Sequence, residues 1–465
     1  MNKHSFKSTL SGPKHASRFA LFVVPLALAA ACATEADDEA PRLAALAAGE
    51  AVQVGGGVDV RFEAGAGAAD ASVTADLRQL VPQLSDVAGP ARAADGASGT
   101  IVIRHVRKRP AGERRSNENA APDATDGPRF REDPGTFAFL AFNPASRNEF
   151  EVTFPRGLLR RMHDGAEAKG LNRGARLDGA ENEPPQASLS ALSGGTDNRS
   201  RFYGVNAPVT AWERQRVSDF GGCTATLVGP RHVITAAHCV FNRGAAAGTD
   251  PWTDDVQVRV ARNGTSQLGA VTIDNDNIPN GQVLWYWVPA PWVNASAGTN
   301  VTEFDISIVV TPGRIGETTG GWMGWWALSQ ASMNTQSVWN VGYPGCNTTT
   351  SNGTPRIDEP NPCSENHLYG DTSTCFPANF DDEDPDGWGR TFRHRCDASG
   401  GQSGSPLYVN FQGQGWGVTG VHTTSLCGTT SGNACSSSER VRPLLATRIT
   451  PEYSGMISYF RELYP

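Results

Sequence analysis

The chain has 465 residues, 39% hydrophobic and 19% charged, with a formal net charge of −8 at pH 7. An acidic chain lacks the overall positive footprint of a nucleic-acid-binding protein. The most apolar run, Phe19 to Ala31, is shorter than the roughly 20 residues that a membrane-spanning helix needs. These values exclude a polytopic membrane protein and favour a globular chain of several units.

Residues 1–32 have the order of a secretory signal peptide, in which basic residues precede an apolar run and small residues follow it. Leu28–Cys32 is similar to a bacterial lipobox, whose cysteine would be lipidated and kept. Ala31–Ala33 fits a plain cleavage site equally well. Both interpretations predict a protein that is secreted or held in the cell envelope, with no membrane contact other than an anchor at Cys32.

Residues 33–193 contain no cysteine and are rich in Ala, Gly, Asp, Glu and Arg. Ile101–Val106 and Thr136–Phe154 are more apolar than their surroundings and predict strands. Lys108–Pro128 and Gly165–Ser193 predict loops or linkers.

The composition changes after Ser193, because the eight remaining cysteines and all 11 tryptophans lie beyond it. Short runs of β-branched and aromatic residues, separated by Gly, Asn, Pro and Ser, predict an all-β sandwich or barrel. Pro451–Leu463 predicts a terminal helix, with proline just inside its start. An even number of cysteines in an exported chain predicts four disulfides, with Cys427–Cys435 as one short loop. The strand runs are Val256–Val260, Asp305–Val310, Ser337–Val341 and Gly415–Val421.

The segment Cys223–Cys239 has the features of a catalytic histidine site. Apolar residues lead into a small-residue turn, which ends in His238 and Cys239. A general base needs an imidazole that is held still beside a nucleophile. A disulfide from Cys239 to Cys223 would fix the backbone beside His238.

The segment Cys396–Pro406 has the features of a nucleophile turn around Ser403. Glycines lie close to this serine on both sides, and glycine adopts backbone conformations that are closed to other residues. Such a turn can aim main-chain N–H groups at one point, as an oxyanion hole requires. The N–H groups of Gly401 and Ser403 are the natural pair.

A third residue, a carboxylate, is needed to orient His238 and support its charged form. Asp305 stands at the head of an apolar strand, where burial would hold it rigidly. Asp274 and Asp276 are the alternatives, in a segment typical of a solvated turn.

These motifs, in the chain order His238, Asp305, Ser403, resemble the trypsin/chymotrypsin-like serine endopeptidases. Gly195–Arg199 and two other short segments are similar to the bacterial glutamyl-endopeptidase (V8-like) branch. The resemblance implies a serine endopeptidase that hydrolyses peptide bonds through an acyl-enzyme, without a cofactor. Its partners would be a protein or peptide substrate and its own propeptide, and it would act as a monomer. The other two segments are Gly320–Gly324 and Val341–Gly345.

The resemblance also implies a fold: all-β, with two antiparallel six-stranded β-barrels and a C-terminal helix, preceded by a propeptide. Residues 194–312 would form the first barrel, and residues 313–465 the second barrel with the terminal helix. Residues 33–193 would then be the propeptide of a zymogen, which in such enzymes covers the cleft or aids folding.

Two residues give opposite indications of specificity. His422 lies where glutamyl endopeptidases resemble this sequence, and a histidine cation with nearby hydroxyls would suit Glu or Asp before the cut. Asp397 lies where trypsin-like enzymes place an acid that favours Arg or Lys. The sequence favours Glu or Asp and leaves the trypsin-like preference as the alternative.

Asp382, Asp384 and Asp386 precede Gly387 and have the alternating spacing of oxygen ligands for Ca²⁺. Arg393 stands where an EF-hand loop would supply its last glutamate, so a solvated acidic loop is the favoured interpretation. Two other function classes stay open: a non-catalytic protease-like binding protein, and a lipid-anchored envelope protein that works through the segment before Gly194.

Overall fold

A computed structural model of the chain divides into two compact units, residues 1–42 and 43–465. Residues 1–32, including Cys32, lie outside the described residues, as does the 178–198 stretch. No helix among the described residues has the length and apolar character needed to cross a membrane. The described residues are 36–55, 58–63, 71–81, 99–109, 133–177, 199–245, 249–253, 255–273, 283–296, 299–346, 363–371, 374–375, 377–380, 389–424 and 444–465.

Residues 43–177, called here the N-terminal segment, mix strands with helices. Both strand predictions in this part are confirmed, since Ile101–Val106 lies within one strand and Thr136–Phe154 forms two. Alternating buried residues such as Ile101 and Ile103 explain the strand periodicity. The elements from Ala36 onward are α1 (Ala36–Ala47), β1 (Ala51–Gly55), β2 (Val58–Glu63), α2 (Ala71–Leu80), β3 (Gly99–Lys108), β4 (Thr136–Asn143), β5 (Asn148–Pro155), α3 (Arg156–Lys169) and β6 (Ala175–Arg176).

The prediction of a loop or linker over Gly165–Ser193 is wrong at its start, because helix α3 continues into it. The helix continues through Lys169 and ends at Gly170, whose φ of 67° gives the left-handed cap that often closes helices. Leu158, Met162 and Ala166 repeat at helical spacing and are buried. The signal was therefore in the sequence, but polar residues between these positions obscured it.

Residues 199–465 consist mostly of strands and end in a helix, which confirms the coarse fold prediction. The elements of the first part are β7 (Arg199–Arg201), α4 (Trp212–Gln215), β8 (Val217–Phe220), β9 (Cys223–Leu227), β10 (His232–Thr235), β11 (Val256–Val260), β12 (Gly269–Ile273), β13 (Trp285–Pro289), α5 (Ala290–Asn294) and β14 (Ser307–Val310). Those of the second part are α6 (Ile315–Thr318), β15 (Gly321–Trp322), β16 (Gly324–Trp325), α7 (Gln330–Met333), β17 (Trp339–Gly342), β18 (Tyr369–Asp371), β19 (Pro377–Phe380), β20 (Thr391–His394), β21 (Pro406–Asn410), β22 (Trp416–Thr424), β23 (Leu444–Arg448) and α8 (Pro451–Leu463). Short 3-10 helices occupy Ala237–Cys239, Thr302–Phe304 and Phe411–Gly413.

Most of these strands belong to two sheets. The larger runs β1-β2-β3-β5-β4-β13-β14-β10-β9-β8-β11-β12, and the smaller runs β19-β20-β23-β22-β21-β17-β18-β7, with β16 paired to β22. Among the described strands, only β2–β3 and β16–β22 pair in parallel. Antiparallel pairing of short strands is the arrangement that the regularly spaced turn residues favour.

Two pairings could not be read from the sequence. Strand β4 of the N-terminal segment pairs with β13, so that segment extends the sheet of the following part. Strand β7, which the sequence groups with the first barrel, pairs instead with β18 in the nine-stranded sheet. Both contacts join parts of the chain that are far apart in sequence.

The terminal helix α8 follows its sequence signals closely. The Thr450 side chain accepts a hydrogen bond from the Tyr453 amide at 3.4 Å, and Pro451 occupies the first turn. Nearly every residue of the helix is buried, and His232 of β10 lies 3.0 Å from the Phe460 carbonyl oxygen. The prediction of a helix over Pro451–Leu463 is confirmed.

Three disulfides lie within the described residues, and the first is the predicted one. They join Cys223 to Cys239, Cys346 to Cys363 and Cys375 to Cys396. The fourth predicted pair, Cys427–Cys435, lies outside the described residues.

Candidate active site

His238 and Asp305 come together because their strands are neighbours. Strand β10 ends at Thr235 and leads directly into the 3-10 helix that carries His238. Thr235 lies opposite Ser307 of β14, and Asp305 immediately precedes that strand. The Cys223–Cys239 disulfide ties the histidine turn to β9.

The Asp305 carboxylate bonds to both the main chain and the ring of His238. Its Oδ1 accepts the His238 amide at 2.9 Å, and its Oδ2 lies 2.8 Å from His238 Nδ1. Both residues are buried. Because a carboxylate can only accept, Nδ1 carries the proton and Nε2 is left as the basic nitrogen. This is the orientation that a general base needs.

The Ser403 turn lies against β9 and the 3-10 helix that carries His238. The Ser403 carbonyl oxygen accepts the Thr224 amide at 2.7 Å and lies 3.7 Å from the Cys239 sulfur. A Cβ atom on Gly404 would fall 2.0 Å from the Thr224 oxygen, so only glycine permits this approach. The structure thus holds the backbone of Ser403 next to the residue that follows His238.

The two amides predicted for an oxyanion hole are available in the turn. The Gln402, Gly404 and Ser405 amides donate to main-chain oxygens, whereas no such bond among the described residues uses the Gly401 or Ser403 amide. Gly401 has a φ of 88°, which glycine adopts without strain. Its carbonyl accepts the Thr224 hydroxyl at 3.0 Å, which fixes the turn.

Residues 223–418 match the family model of the trypsin-like peptidase domain. The chain carries a trypsin-like peptidase domain. It is distantly related to the glutamyl endopeptidase of Bacillus licheniformis, with 26% identity over 247 residues that cover 51% of this chain and 63% of that enzyme. The alignment thus spans less than two thirds of that relative. An extracellular metalloprotease of Bacillus subtilis is 26% identical over 277 residues, covering 57% of this chain and 68% of that protein.

Two solved structures are similar at lower identity. A Glu endopeptidase in complex with MPD has a TM-score of 0.39 at 18% identity, covering 57% of this chain and 98% of that one. The protease Anisep from Arthrobacter nicotinovorans has a TM-score of 0.32 at 17% identity, covering 52% and 90%.

Arg199 anchors the Ser403 turn, a role that the sequence did not reveal. Its buried guanidinium donates to Ser399 Oγ at 2.8 Å and to the side-chain oxygen of Gln402. That oxygen also accepts the Ser399 amide at 3.1 Å. Arg199 is the last residue of the Gly195–Arg199 motif, but its partners lie some two hundred residues later in the chain.

His422 lies beside the Ser403 turn. Its carbonyl accepts the Gly404 amide at 2.8 Å, and its own amide donates to the Ser405 carbonyl at 2.9 Å. Its Nδ1 lies 3.1 Å from Nε2 of His394, a buried residue of β20 that the sequence did not single out. No sequence signal marks this pair, because β23 separates their strands in the sheet.

The charge expected on His422 is a point of correction. Burial, together with smaller contributions from the charges of His238 and Arg199, lowers the pKa of His422 to about 3. Burial likewise lowers the pKa of His394 well below its usual range. His422 is therefore neutral near pH 7 in the substrate-free peptidase domain, and not the cation that the sequence suggested.

Asp397 is half-buried, and its amide donates to the Asp371 carboxylate at 3.1 Å. Asp371 lies in β18, opposite Arg199 of β7. Asp397 therefore lies near β7, the strand whose Arg199 anchors the Ser403 turn.

Two clusters of metal-type ligands occur in the described part of the chain, Cys223 with His238 and Cys239, and Cys375 with His394 and Cys396. In both, the two cysteines form a disulfide, so neither cluster offers a thiolate. The candidate calcium ligands Asp382, Asp384 and Asp386 lie outside the described residues.

Proposed function

We propose that this chain is a serine endopeptidase in which His238, Asp305 and Ser403 form the catalytic triad. The observation that carries the proposal is the pair of hydrogen bonds from His238 to Asp305, beside the anchored Ser403 turn. The trypsin-like peptidase domain supports the same assignment.

In the proposed mechanism, the Ser403 oxygen attacks the peptide carbonyl carbon while His238 Nε2 takes the hydroxyl proton. The Gly401 and Ser403 amides donate to the oxyanion that forms. His238 then gives its proton to the leaving amine, and the peptide C–N bond breaks to leave an acyl-enzyme. Water attacks the acyl group with His238 as the base, and the acid is released as Ser403 recovers its proton.

The function is tested by a fluorophosphonate, which phosphonylates an activated serine and loses fluoride. We expect it to label Ser403 stoichiometrically, as located by peptide mapping, because His238 activates only that hydroxyl. Ser403→Ala should abolish labelling, and the exposed variant Ser296→Ala should leave it unchanged. If Ser403 stays unlabelled in folded protein, both before and after the activation cut, the non-catalytic binding class is favoured.

The proposed specificity is for Glu or Asp before the cut. The ring of a neutral His422 hydrogen-bonds to the Leu445 backbone, and in the proposal its N–H turns from there to a substrate carboxylate. The nearby Arg199 charge gives this side of the turn a positive potential. The distant relationship to glutamyl endopeptidase agrees with this preference.

We expect His422→Leu to lower kcat/KM for a Glu-ending peptide by roughly 10–100-fold, because it removes a hydrogen bond to a charged group. The kcat/KM for a Gln-ending peptide should fall much less. The measurement is therefore the ratio of kcat/KM for the Glu-ending peptide to that for the Gln-ending peptide. His422→Gln keeps an N–H donor, so its kcat/KM for the Glu-ending peptide should lie between those of wild type and His422→Leu. His367→Gln is the control for loss of another buried histidine. A wild-type preference for Arg- or Lys-ending peptides would favour Asp397 as the determinant instead.

We further propose that residues 1–32 direct export, and that residues 33–193 are a propeptide whose link to the peptidase is cut to activate the enzyme. The Bacillus subtilis relative is named an extracellular metalloprotease, which supports export. The strands of residues 194–312 and 313–465 would close into the two barrels. The N-terminal residue of the active peptidase tests the activation cut, and that of the propeptide tests the export cut.

A further inference from the structure

The N-terminal segment continues the sheet of the peptidase domain through strand β4. This strand pairs with β13 from Phe139 opposite Pro289 to Phe142 opposite Tyr286. Its other edge pairs with β5, so β4 is an interior strand. Without the segment, β13 would present an exposed edge of apolar residues, a known site of aggregation.

Aromatic packing fills the space beside this junction. Trp252 of the peptidase domain stacks on Phe142 of the segment, with ring centroids 4.8 Å apart, and is buried. Its indole N–H donates at 2.5 Å to Glu149, a fully buried carboxylate of the segment that also accepts from Arg107 at 2.6 Å. Separation would expose the Trp252 ring and take the indole N–H away from the buried carboxylate.

Helix α3 of the segment lies in direct backbone contact with α8 of the peptidase domain. A Cβ atom on Gly455 would fall 2.1 Å from the Leu159 carbonyl oxygen. His163 Nδ1 lies 2.8 Å from the Ser454 hydroxyl, and Arg160 pairs with the buried Glu452 at 3.1 Å. Such close packing resembles the interior of one domain.

The Gly320–Gly324 motif, which the catalytic mechanism does not use, receives the end of the segment. Leu177 donates its amide to the Gly320 carbonyl at 3.1 Å, and a Cβ atom on Gly321 would fall 1.8 Å from the Ala175 oxygen. The Trp325 amide donates to the Asn172 carbonyl at 2.9 Å. These glycines therefore admit a neighbouring backbone.

The interface reaches the residue next to Asp305. Phe137 of the segment lies 6.4 Å from Phe304, centroid to centroid, and 5.6 Å from Tyr453. The Arg390 guanidinium lies over both phenylalanine rings, 5.4 Å and 5.6 Å from their centroids. The segment thus covers the residue immediately before the carboxylate that holds His238.

From these contacts, we propose that residues 43–177 stay bound after the chain is cut between residues 178 and 198, as a structural subunit of a two-chain protein. The contacts named above join residues on either side of that stretch and do not depend on an intact link. An interface with a ladder of main-chain bonds and buried aromatic residues has the character of an obligate interface. This inference rests on the cut between residues 178 and 198 that is part of the proposed function, but it does not depend on peptidase activity.

The test uses the full chain with Ser403→Ala, so that no self-digestion occurs, and with a recognition site for a sequence-specific protease inserted after Pro185. After complete cutting, gel filtration at high salt is expected to give both fragments in one peak, at the mass of one intact chain. Elution of the fragments in separate peaks would overturn the proposal. Precipitation of the peptidase fragment, with the segment left in solution, would overturn it equally. Because the readout is mass, its failure is distinct from failure of the proposed catalysis.

A second variant tests the α3–α8 contact. Gly455→Ala forces a methyl group against the Leu159 carbonyl, and we expect the cut fragments to exchange with labelled segment at least about tenfold faster. Alanine favours the helix, so α8 itself should stay formed. Gly313→Ala is the matched control, since a Cβ atom there meets nothing within 4 Å. Equal exchange rates in the two variants would contradict the proposed contact.

Discussion

Replacing Ser403 with alanine is expected to lower the rate of peptide hydrolysis by roughly 10⁶-fold, the size of effect seen when a triad nucleophile is removed. The hydroxyl is the only group that the mechanism bonds covalently to substrate. The amides of Gly401 and Ser403 remain, so a small rate above that of uncatalysed hydrolysis should persist.

The fold should not change in this variant. Ser403 is half-buried, and its anchoring contact is the main-chain bond from the Thr224 amide, which alanine keeps. The measurements are kcat and KM with a chromogenic peptide, together with the thermal unfolding midpoint. Ser296→Ala, at an exposed position after α5, serves as the control for handling. Turnover near the wild-type rate in Ser403→Ala would exclude this serine as the nucleophile.

The residues of the proposed triad were chosen from local sequence signals. His238 and Ser403 each lie in a short motif whose neighbours explain its geometry, and Asp305 precedes a buried strand. Strand register then brings Asp305 onto His238, because Thr235 and Ser307 lie opposite each other. The sequence could place these residues on elements, but it could not supply that register.

The features that the sequence did not reveal depend on contacts between distant elements. Arg199 contacts Ser399, and His394 contacts His422, because the fold brings together residues that are not neighbours in the chain. The charge of His422 depends on burial, which periodicity alone does not give for one side chain. The pairing of β4 with β13 is of the same kind, since many exposed strand edges could pair.

Asp305→Asn is expected to lower kcat by about 10⁴-fold, as for loss of the orienting carboxylate in a comparable triad. An asparagine oxygen can still accept the His238 amide, but its NH₂ group can face the ring where Oδ2 now accepts. The ring would then carry its proton on Nε2, and Nε2 could no longer take the proton of Ser403.

The kinetic pattern separates this effect from a loss of folding or of substrate binding. We expect kcat and kcat/KM to fall together with KM little changed, because the carboxylate acts in the transition state. The exposed variant Asp133→Asn is the matched control, and unfolding midpoints should show whether the buried site is intact. Near-normal kcat in Asp305→Asn would contradict an orienting role. Since Asp305 is fully buried and makes both bonds to His238, such a result would mean that this pair serves only to stabilise the fold.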